Sequence, residues 1–359
     1  MVVLQRIYHH LPESVNNALL SDAMAVNSLM IILQSCSIDY VRNESLSFLL
    51  LLTADNAQIQ QAVTMQGLPE TLFAMLDEED LGRGGKVARD VLKCLGNVAG
   101  NITCQRCIRE TGGVAMLVLA MDKALGGRRA AGTDEDDDED ASNTNRLDVP
   151  EEARWACFLM LADIALVFAA AADSPGASGG AAGEKESLEA LIRHGALGLL
   201  PRLTEEGPSL DAKLRLVRLL DALGANPLAL EALNDVDPRG GTAAIFPTLV
   251  GLLVGRGPPL ALRSALGRAL CRAVARHSKL QEYLLASLSP PMDHGTQSAE
   301  GVLPGRSIVA LLEQAAVGLS EPEHLWFALH LLLAGMRDNA DVKGAALPTM
   351  RIADPGGDE

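Results

Sequence analysis

The stretch Val41–Thr53, VRNESLSFLLLLT, decides the fold when it is read with the segments that follow it. Its apolar residues recur at helical spacing, and a turn at residues 54–56 ends it. A short segment, Ala57–Met65, comes next, and a Gln-Gly pair separates it from a third segment, Leu68–Leu76. This order of long helix, turn, short helix, glycine and helix predicts one packed helical unit.

The same pattern returns about 45 residues later. Its segments are Val87–Ala99 (VARDVLKCLGNVA), Ile102–Glu110 and Val114–Met121, with a Gly-Asn turn and a Gly-Gly pair between them. A glycine suits the sharp turn between two helices because it has no Cβ and tolerates a left-handed backbone. The repetition therefore predicts a repeat protein.

The spacing of the turn residues is also repeated. Asn56 precedes Gly67 by 11 residues, and Asn101 precedes Gly113 by 12. Weaker copies of the helical pattern occupy Leu188–Gly195, Ala196–Leu203, Leu214–Leu223, Ile245–Val254, Leu260–His277, Tyr283–Leu288, Ile308–Leu319 and His324–Met336. No segment alternates with the period of a strand. We therefore predict an all-α, armadillo-type α-solenoid, a right-handed superhelix of about six repeats with disordered inserts.

Composition and charge exclude several functions. Hydrophobic residues make up 48% of the chain, which is too many for a disordered protein, and aromatic residues only 3%. The net charge is −16, and the run Asp134–Asp140 supplies seven of these negative charges. An acidic chain lacks the basic footprint of a nucleic-acid-binding protein. We interpret the apolar stretch Trp155–Ala172 as a buried helix because Asp163 lies at its middle.

We expect one repeat domain over residues 1–346 with two inserts. An acidic insert covers residues 126–148 and a Gly/Ala/Ser-rich flexible insert covers residues 174–184, both too polar or too small in side chain to form a core. Residues 347–359 form a disordered tail. We interpret the acidic run as a solubilising loop; the alternative is that it folds back onto a basic surface and inhibits binding there.

The block Asp77–Asn101, continuing to Gly112, resembles the globular head of the general vesicular transport factor, a long Golgi vesicle tether with an armadillo head and a coiled-coil tail. In that family an acidic loop and a Gly-Gly pair open a helix that ends in Leu-x-Asn and an Asn-rich turn. The matching residues in this sequence are Gly84, Gly85, Asp90, Leu95, Asn97 and Asn101. The likeness extends from Leu4 to Ala345 and is sharpest over residues 28–113. The inserts and the missing heptads mark a divergent or truncated head.

The resemblance implies a cytoplasmic protein, peripheral at Golgi membranes, that helps to tether vesicles in ER-to-Golgi and intra-Golgi transport. It implies protein partners, namely a Rab-type small GTPase and the membrane-fusion machinery, and a homodimer. We expect neither nucleic-acid binding, because the chain is acidic, nor a cofactor, because it carries no cofactor-binding motif. The partner-binding residues of the family do not map onto individual positions here.

The candidate partner-binding residues come from helical spacing. Arg268, Arg272 and Arg276 repeat every fourth residue in a segment without an acidic residue, so they line one helix face. The opposite stripe is apolar, and Arg215 and Arg218 in the preceding long helix extend the basic patch. The patch is either a docking surface for an acidic segment or lipid headgroups, or a solvated face paired with neighbouring carboxylates. Asn97 lies where armadillo proteins often carry a groove asparagine, although such residues also cap turns.

No catalytic, metal or cofactor site is predicted. Cys104 and Cys107 form a CxxC pair, but no second pair of ligands lies at zinc-site spacing, so we expect both thiols to pack inside the protein. His324 and His330 point to different faces of one helix. No phosphate-binding loop, dinucleotide fingerprint or nucleophile elbow is present. We predict a non-catalytic interaction scaffold. The alternatives are a transport receptor for basic peptides, a chaperone nucleotide-exchange factor of armadillo form, and an enzyme without recognisable motifs.

Overall fold

The computed structural model describes residues 2–126, 151–170, 181–205, 207–224, 226–234, 245–254, 257–286 and 322–337. These residues form helices and turns and contain no strand. The chain divides into two compact units, Met1–His194 (unit 1) and Gly195–Glu359 (unit 2). The single repeat domain over residues 1–346 stays a prediction.

Several predicted segments lie outside the described residues. They are the acidic insert apart from Gly126, the helix Ile308–Leu319 and the tail, residues 347–359. Residues 171–180 also lie outside them, and a helix begins at Ala181, inside the predicted insert of residues 174–184.

Unit 1 consists of short and long helices in a repeating order. They are α1 (Val2–His10), α2 (Pro12–Ser21), α3 (Ala23–Ser35), α4 (Asp39–Thr53), α5 (Ala57–Met65), α6 (Leu68–Glu78), α7 (Lys86–Ala99), α8 (Ile102–Glu110), α9 (Gly113–Ala124), α10 (Glu151–Ala170) and α11 (Ala181–Arg193). The long helices pack side by side, α4 on α7 and α7 on α10, and the short helices α5, α8 and α11 form a second row. Each repeat therefore contributes one helix to each row.

The sequence of unit 1 sets its helix starts. The Asn56 side chain accepts hydrogen bonds from the amides of Gln58 and Ile59, each at 3.1 Å, and caps α5. The Asn101 side chain caps α8 in the same way through the amide of Thr103, at 3.0 Å. These caps satisfy amides that a helix start otherwise leaves unpaired, so α5 and α8 have their predicted bounds.

The turn glycine of the second repeat is Gly112 and not Gly113. Gly67 and Gly112 both have the left-handed backbone, with φ of 82° and 81°, so the spacing from each capping asparagine is 11 residues. Gly113 is required for a different reason. A Cβ on Gly113 would lie 2.6 Å from Ile108 Cγ2 and 2.9 Å from the Ile108 carbonyl oxygen.

The apolar helix α10 is a core element. Cys157, Phe158, Leu161 and Ala165 are buried in it, and Asp163 is exposed, which confirms the prediction of a buried helix. Among the described residues no single helix has the length and hydropathy to cross a membrane, and the bent pair Pro12–Ser21 and Met24–Ser35 meets those two criteria only when taken together.

Unit 2 also consists of long helices and a second row of shorter elements. It contains a 3-10 helix, η1 (Ala196–Thr204), and the helices α12 (Leu210–Leu223), α13 (Leu228–Asn234), α14 (Ile245–Val254), α15 (Leu260–Arg276), α16 (Ser278–Ala286) and α17 (Pro322–Met336). The long helices again pack side by side, α12 on α15 and α15 on α17. The second-row elements η1 and α14 pack behind them.

Two features of unit 2 differ from the sequence prediction. Helix α13 was not predicted, and α16 begins at Ser278 and not at Tyr283. Polar residues such as Lys279 and Glu282 interrupt the apolar pattern at the start of α16, but they lie on its exposed side. Helix α13 has only seven residues, which is too short to show a helical period.

Candidate partner-binding surface

The structure places the six predicted site residues on long helices of the two units. Asn97 lies on α7 of unit 1, Arg215 and Arg218 lie on α12, and Arg268, Arg272 and Arg276 lie on α15 of unit 2. Because α12 packs on α15, the five arginines belong to two adjacent helices.

Helix α15 has the predicted two faces. Its apolar stripe is buried and consists of Leu262, Leu266, Ala269, Leu270, Ala273 and Val274. Arg268, Arg272 and Arg276 are exposed on the opposite side, and the helix contains no acidic residue. Burial of the aliphatic stripe fixes the rotation of the helix, so the three arginines must face solvent.

Contacts between α12 and α15 show that the two helices run parallel and in register. Gly224, which ends α12, lies against Ala273, and its carbonyl oxygen is 2.8 Å from His277 Nε2. One turn earlier Asp221 reaches Arg272. The same offset places Arg218, which is exposed and one turn before Asp221, near the level of Arg268.

Arg272 has an acidic partner that the sequence did not reveal. Its Nη2 atom lies 2.6 Å from Asp221 Oδ2, and 57% of the Arg272 side chain remains exposed. The interpretation of a solvated face paired with neighbouring carboxylates is therefore correct for Arg272. Such an exposed pair contributes about 0–1 kcal/mol, because water and salt screen it. Arg218, Arg268 and Arg276 remain exposed, while Arg215 is half-buried. We call Arg218, Arg268, Arg272 and Arg276 the basic face.

An exposed apolar strip on α17 was missed in the sequence. Trp326, Leu329 and Leu333 lie at helical spacing and are 52%, 43% and 60% exposed. The Trp326 ring stacks on His330 with a centroid separation of 3.7 Å. The spacing of the three residues was visible in the sequence, but it predicts a buried stripe equally well.

The helix that carries the apolar strip, α17, packs on α15 through Phe327 and Gly335. A Cβ on Gly267 would lie 2.8 Å from Phe327 Cδ1, and one on Gly335 would lie 3.9 Å from Val274 Cγ1. These two contacts show that α15 and α17 are parallel with a constant offset of about 60 residues. Trp326 is therefore one turn or less from the level of Arg268, and Leu333 is near the level of Arg272.

The Asn97 side chain has a structural role. Its Nδ2 atom donates to the Leu50 carbonyl oxygen at 3.4 Å and lies 3.2 Å from Thr53 Oγ1, both on α4. The side chain thus ties α7 to the neighbouring long helix, a role that neither sequence interpretation included. A groove asparagine would occupy the same position in the sequence. Only the contact with α4 shows that Asn97 joins two helices.

The cysteines have the environment of packed thiols. All six are free; Cys94, Cys104 and Cys157 are buried, whereas Cys107, the second thiol of the CxxC pair, is only half-buried. Burial raises the pKa of Cys104 and raises that of Cys271 to about 11. Cys271 lies between Arg268 and Arg272 in the sequence of α15. A thiol with a raised pKa is a poor nucleophile at neutral pH. Within the described residues no group of three or more His, Cys, Asp or Glu side chains could hold a metal ion.

Together these features define a class of protein. The rows of parallel long and short helices, the left-handed turn glycines and the charged face on the long helices are those of an armadillo-type α-solenoid. The predicted fold class is confirmed.

Comparison with known proteins gives the more particular relationship. Over 119 residues, 32% of this chain, the sequence is 34% identical to the intracellular protein transport protein uso1 of Schizosaccharomyces pombe, and the match spans 11% of that protein. The crystal structure of Uso1-2 covers 93% of this chain with a TM-score of 0.65 and 16% identity, and that of Uso1-1 covers 96% with a TM-score of 0.59 and 18% identity. No protein-family model matches the chain.

The chain spans about half the length of the two Uso1 chains, 49% and 51%. The predicted resemblance to the head of a vesicle tether is confirmed: the chain is similar to Uso1 and has diverged from it.

Proposed function

We propose that this chain is a non-catalytic interaction scaffold that acts as the head of a vesicle tether in ER-to-Golgi and intra-Golgi transport. In this role it is cytoplasmic and reaches Golgi membranes peripherally, through protein partners. A Rab-type small GTPase and components of the fusion machinery are the partners that this role requires, and a homodimer is the assembly it favours.

The observation that carries the proposal is the similarity to Uso1. The fold similarity extends over 93% of the chain, and the sequence similarity is to a protein named for intracellular protein transport. An armadillo array supports such a role because its stacked helices present a long continuous surface while the core stays intact.

The side chains support a binding role and not catalysis. Catalysis requires a nucleophile or a base with a suitable pKa, held within reach of its partner. The thiols of Cys94, Cys157 and Cys271 have raised pKa values of about 12, 11 and 11, because burial disfavours the thiolate. We place the partner surface on the basic face of unit 2, since that face is exposed and charged.

Two measurements test the tether role. The purified chain is immobilised and exposed to Golgi Rab-type GTPases loaded with a GTP analogue or with GDP, with a designed armadillo protein as the control. We expect retention of at least one GTPase, stronger in the GTP state. In cells, a fluorescent fusion of the chain should overlap with a Golgi marker.

Failure to retain any Golgi GTPase in either state, together with no overlap at the Golgi, would contradict the tether role and leave the fold unaffected. The receptor for basic peptides is the less favoured adaptor function, because the basic face would repel its ligand. A chaperone nucleotide-exchange factor would instead speed the release of nucleotide from a chaperone, which is measured with a fluorescent nucleotide.

A further inference from the structure

The exposed surface of the long helices in unit 2 combines two chemistries. Helices α12 and α15 expose the four arginines of the basic face, in a chain whose net charge is −16. Helix α17 packs on α15 through Phe327 and Gly335, and its apolar strip is exposed on another side of α17. A partner that uses both must be acidic on one side and apolar on the other.

The charge of the whole chain narrows the class of partner. A strongly anionic surface, such as a membrane rich in acidic lipids, meets the long-range repulsion of the acidic chain. A short acidic segment experiences mainly the local field, because charges beyond about 10 Å are screened at moderate ionic strength. The apolar strip also has no counterpart in a lipid headgroup. These observations favour a peptide segment.

The spacing of the arginines indicates the conformation of that segment. Arg268, Arg272 and Arg276 are four residues apart, which corresponds to about 6 Å along the helix axis. In an extended chain, side chains two residues apart lie on one side and are about 6.6 Å apart. Carboxylates at alternate positions of an extended segment can therefore meet successive arginines of α15.

The intervening side chains of such a segment point to its other side. Trp326 and Leu333 are exposed on the adjacent helix, within about one turn of the level of the arginines. A segment that lies over both helices can therefore place its intervening side chains on Trp326 and Leu333. Arg272 exchanges its exposed pairing with Asp221 for a carboxylate of the partner, and it loses little because that pairing is screened by water.

We propose that the basic face and the apolar strip together bind an extended segment of a partner protein in which acidic residues alternate with large apolar or aromatic residues. Arg268, Arg272 and Arg276 bind the acidic side chains, and Trp326, Leu329 and Leu333 bind the apolar ones. The proposal rests on the proposed function as an interaction scaffold and specifies the chemistry of one partner.

The test uses synthetic fluorescent peptides and the full chain. The probe peptide alternates Glu with Phe and Leu over seven residues. A control peptide has the same composition, with its acidic and its apolar residues in separate blocks, and a second control has Lys in place of Glu. Fluorescence anisotropy at two salt concentrations gives the dissociation constants. Vesicles of phosphatidylcholine with and without phosphatidylserine test the lipid alternative.

We expect the alternating peptide to bind at least about fivefold more tightly than the block peptide, and the Lys peptide not to bind. Higher salt should weaken binding. The double variant R268E/R276E should raise the dissociation constant about tenfold or more, and Leu333→Ser about threefold. The matched controls are Arg89→Glu on the exposed side of α7 and Leu119→Ser on α9, which is 63% exposed, and both should bind as the unmodified chain does.

Equal binding of the alternating and block peptides would overturn the proposal. So would an equal loss in R268E/R276E and in Arg89→Glu, or binding to phosphatidylserine vesicles without binding to any peptide. Circular dichroism of each variant shows whether the fold is retained. If the peptide does not bind but the chain still retains the GTPase and reaches the Golgi, this inference fails and the tether function stands. If the peptide binds but the chain neither retains a Golgi GTPase nor reaches the Golgi, the tether function fails and this inference stands.

Discussion

Each of the two units contains its own row of long helices, but the two units use their polar side chains differently. In unit 1, polar groups on the long and short helices bond to neighbouring helices: Asn97 donates to α4, and the Asn101 side chain donates to the Gln60 side chain at 3.2 Å. In unit 2, the position that corresponds to Asn97, three residues before the glycine that ends the helix, is Asp221, and it pairs with Arg272.

The charges follow the same division. In unit 1 the exposed basic residue Lys93 on α7 has an acidic neighbour on its own helix, Asp90, at 3.3 Å. In unit 2 helix α15 has no acidic residue, and Asp221 is supplied by α12. The comparison shows that a long-helix face can be used either to join repeats or to present charge. We infer that unit 1 is mainly scaffold and that unit 2 presents the partner surface.

The largest expected effect tests the packing at the turn between α8 and α9 in unit 1. Gly113→Ala should lower the free energy of unfolding by about 2–3 kcal/mol, because its Cβ would meet the Ile108 backbone, which cannot move aside. In unit 2, Gly267→Ala should cost less, about 1–2 kcal/mol, since its Cβ meets the Phe327 side chain. Urea unfolding measures both.

Gly112→Ala is the control for Gly113→Ala. It has nothing within 4 Å and only the left-handed backbone to oppose it, so about 1 kcal/mol should be lost. A loss at Gly112 equal to or greater than that at Gly113 would show that backbone strain and not packing controls this turn.

The second prediction compares the buried glutamines of the two units. Gln105 donates to the Ala99 carbonyl oxygen at 2.7 Å, whereas Gln281 donates to the Arg337 carbonyl oxygen at 3.3 Å. Gln105→Leu should cost about 2 kcal/mol, because it leaves a buried carbonyl without a donor, and Gln281→Leu about 1 kcal/mol. Thermal unfolding of each variant gives the comparison, with the exposed Gln58→Leu as the control. A larger loss of stability in Gln281→Leu than in Gln105→Leu would contradict this prediction.

The third prediction uses the matched pair Asn97 and Asp221. Asn97→Ala should lower the free energy of unfolding by about 1 kcal/mol, because it removes a bond between long helices. Asp221→Ala should change stability by no more than about 0.5 kcal/mol. It should also tighten binding of the alternating acidic peptide about twofold, since it frees Arg272. Unchanged peptide affinity in Asp221→Ala would mean that Arg272 does not contact the partner.

The smallest effect concerns alkaline pH. Burial raises the pKa of Cys94 to about 12 and that of Cys271 to about 11, above the ordinary value of 9.0. A thiol that ionises more readily in the unfolded chain stabilises the fold below pH 9 and loses this contribution as the pH rises toward the folded pKa. Stability should therefore decline slightly between pH 8.5 and 9.5.

The decline should be smaller in Cys94→Ala and in Cys271→Ala, each measured in reductant against its own stability at pH 8. A decline of the same size in both variants and in the unmodified chain would assign it to other groups.

The sequence was sufficient for the parts of the fold that local chemistry determines. Helices α5, α8 and α14 have their predicted bounds, and the caps Asn56 and Asn101 explain two of them. The choice between Gly112 and Gly113 could not be made, because each glycine is required, one by its φ and one by its neighbour Ile108.

The site was only partly predictable, because the sequence shows the spacing of residues along one helix but not which helices pack together. The spacing of Arg268, Arg272 and Arg276 defines a helix face, so their exposure could be derived from the sequence. Their neighbours could not, because Asp221 and Trp326 are about 50 residues away on either side and reach α15 only through helix packing. The sequence also could not show that Asn97 is used by α4.

One measurement tests most directly the claim that unit 2 presents the partner surface. A photo-crosslinking residue replaces one apolar residue of the alternating acidic peptide, and mass spectrometry maps the crosslinked sites on the full chain. We predict crosslinks to α17 around Trp326 and Leu333, and their loss in R268E/R276E. Crosslinks confined to α4 and α7 of unit 1, or unchanged crosslinks in R268E/R276E, would contradict the account.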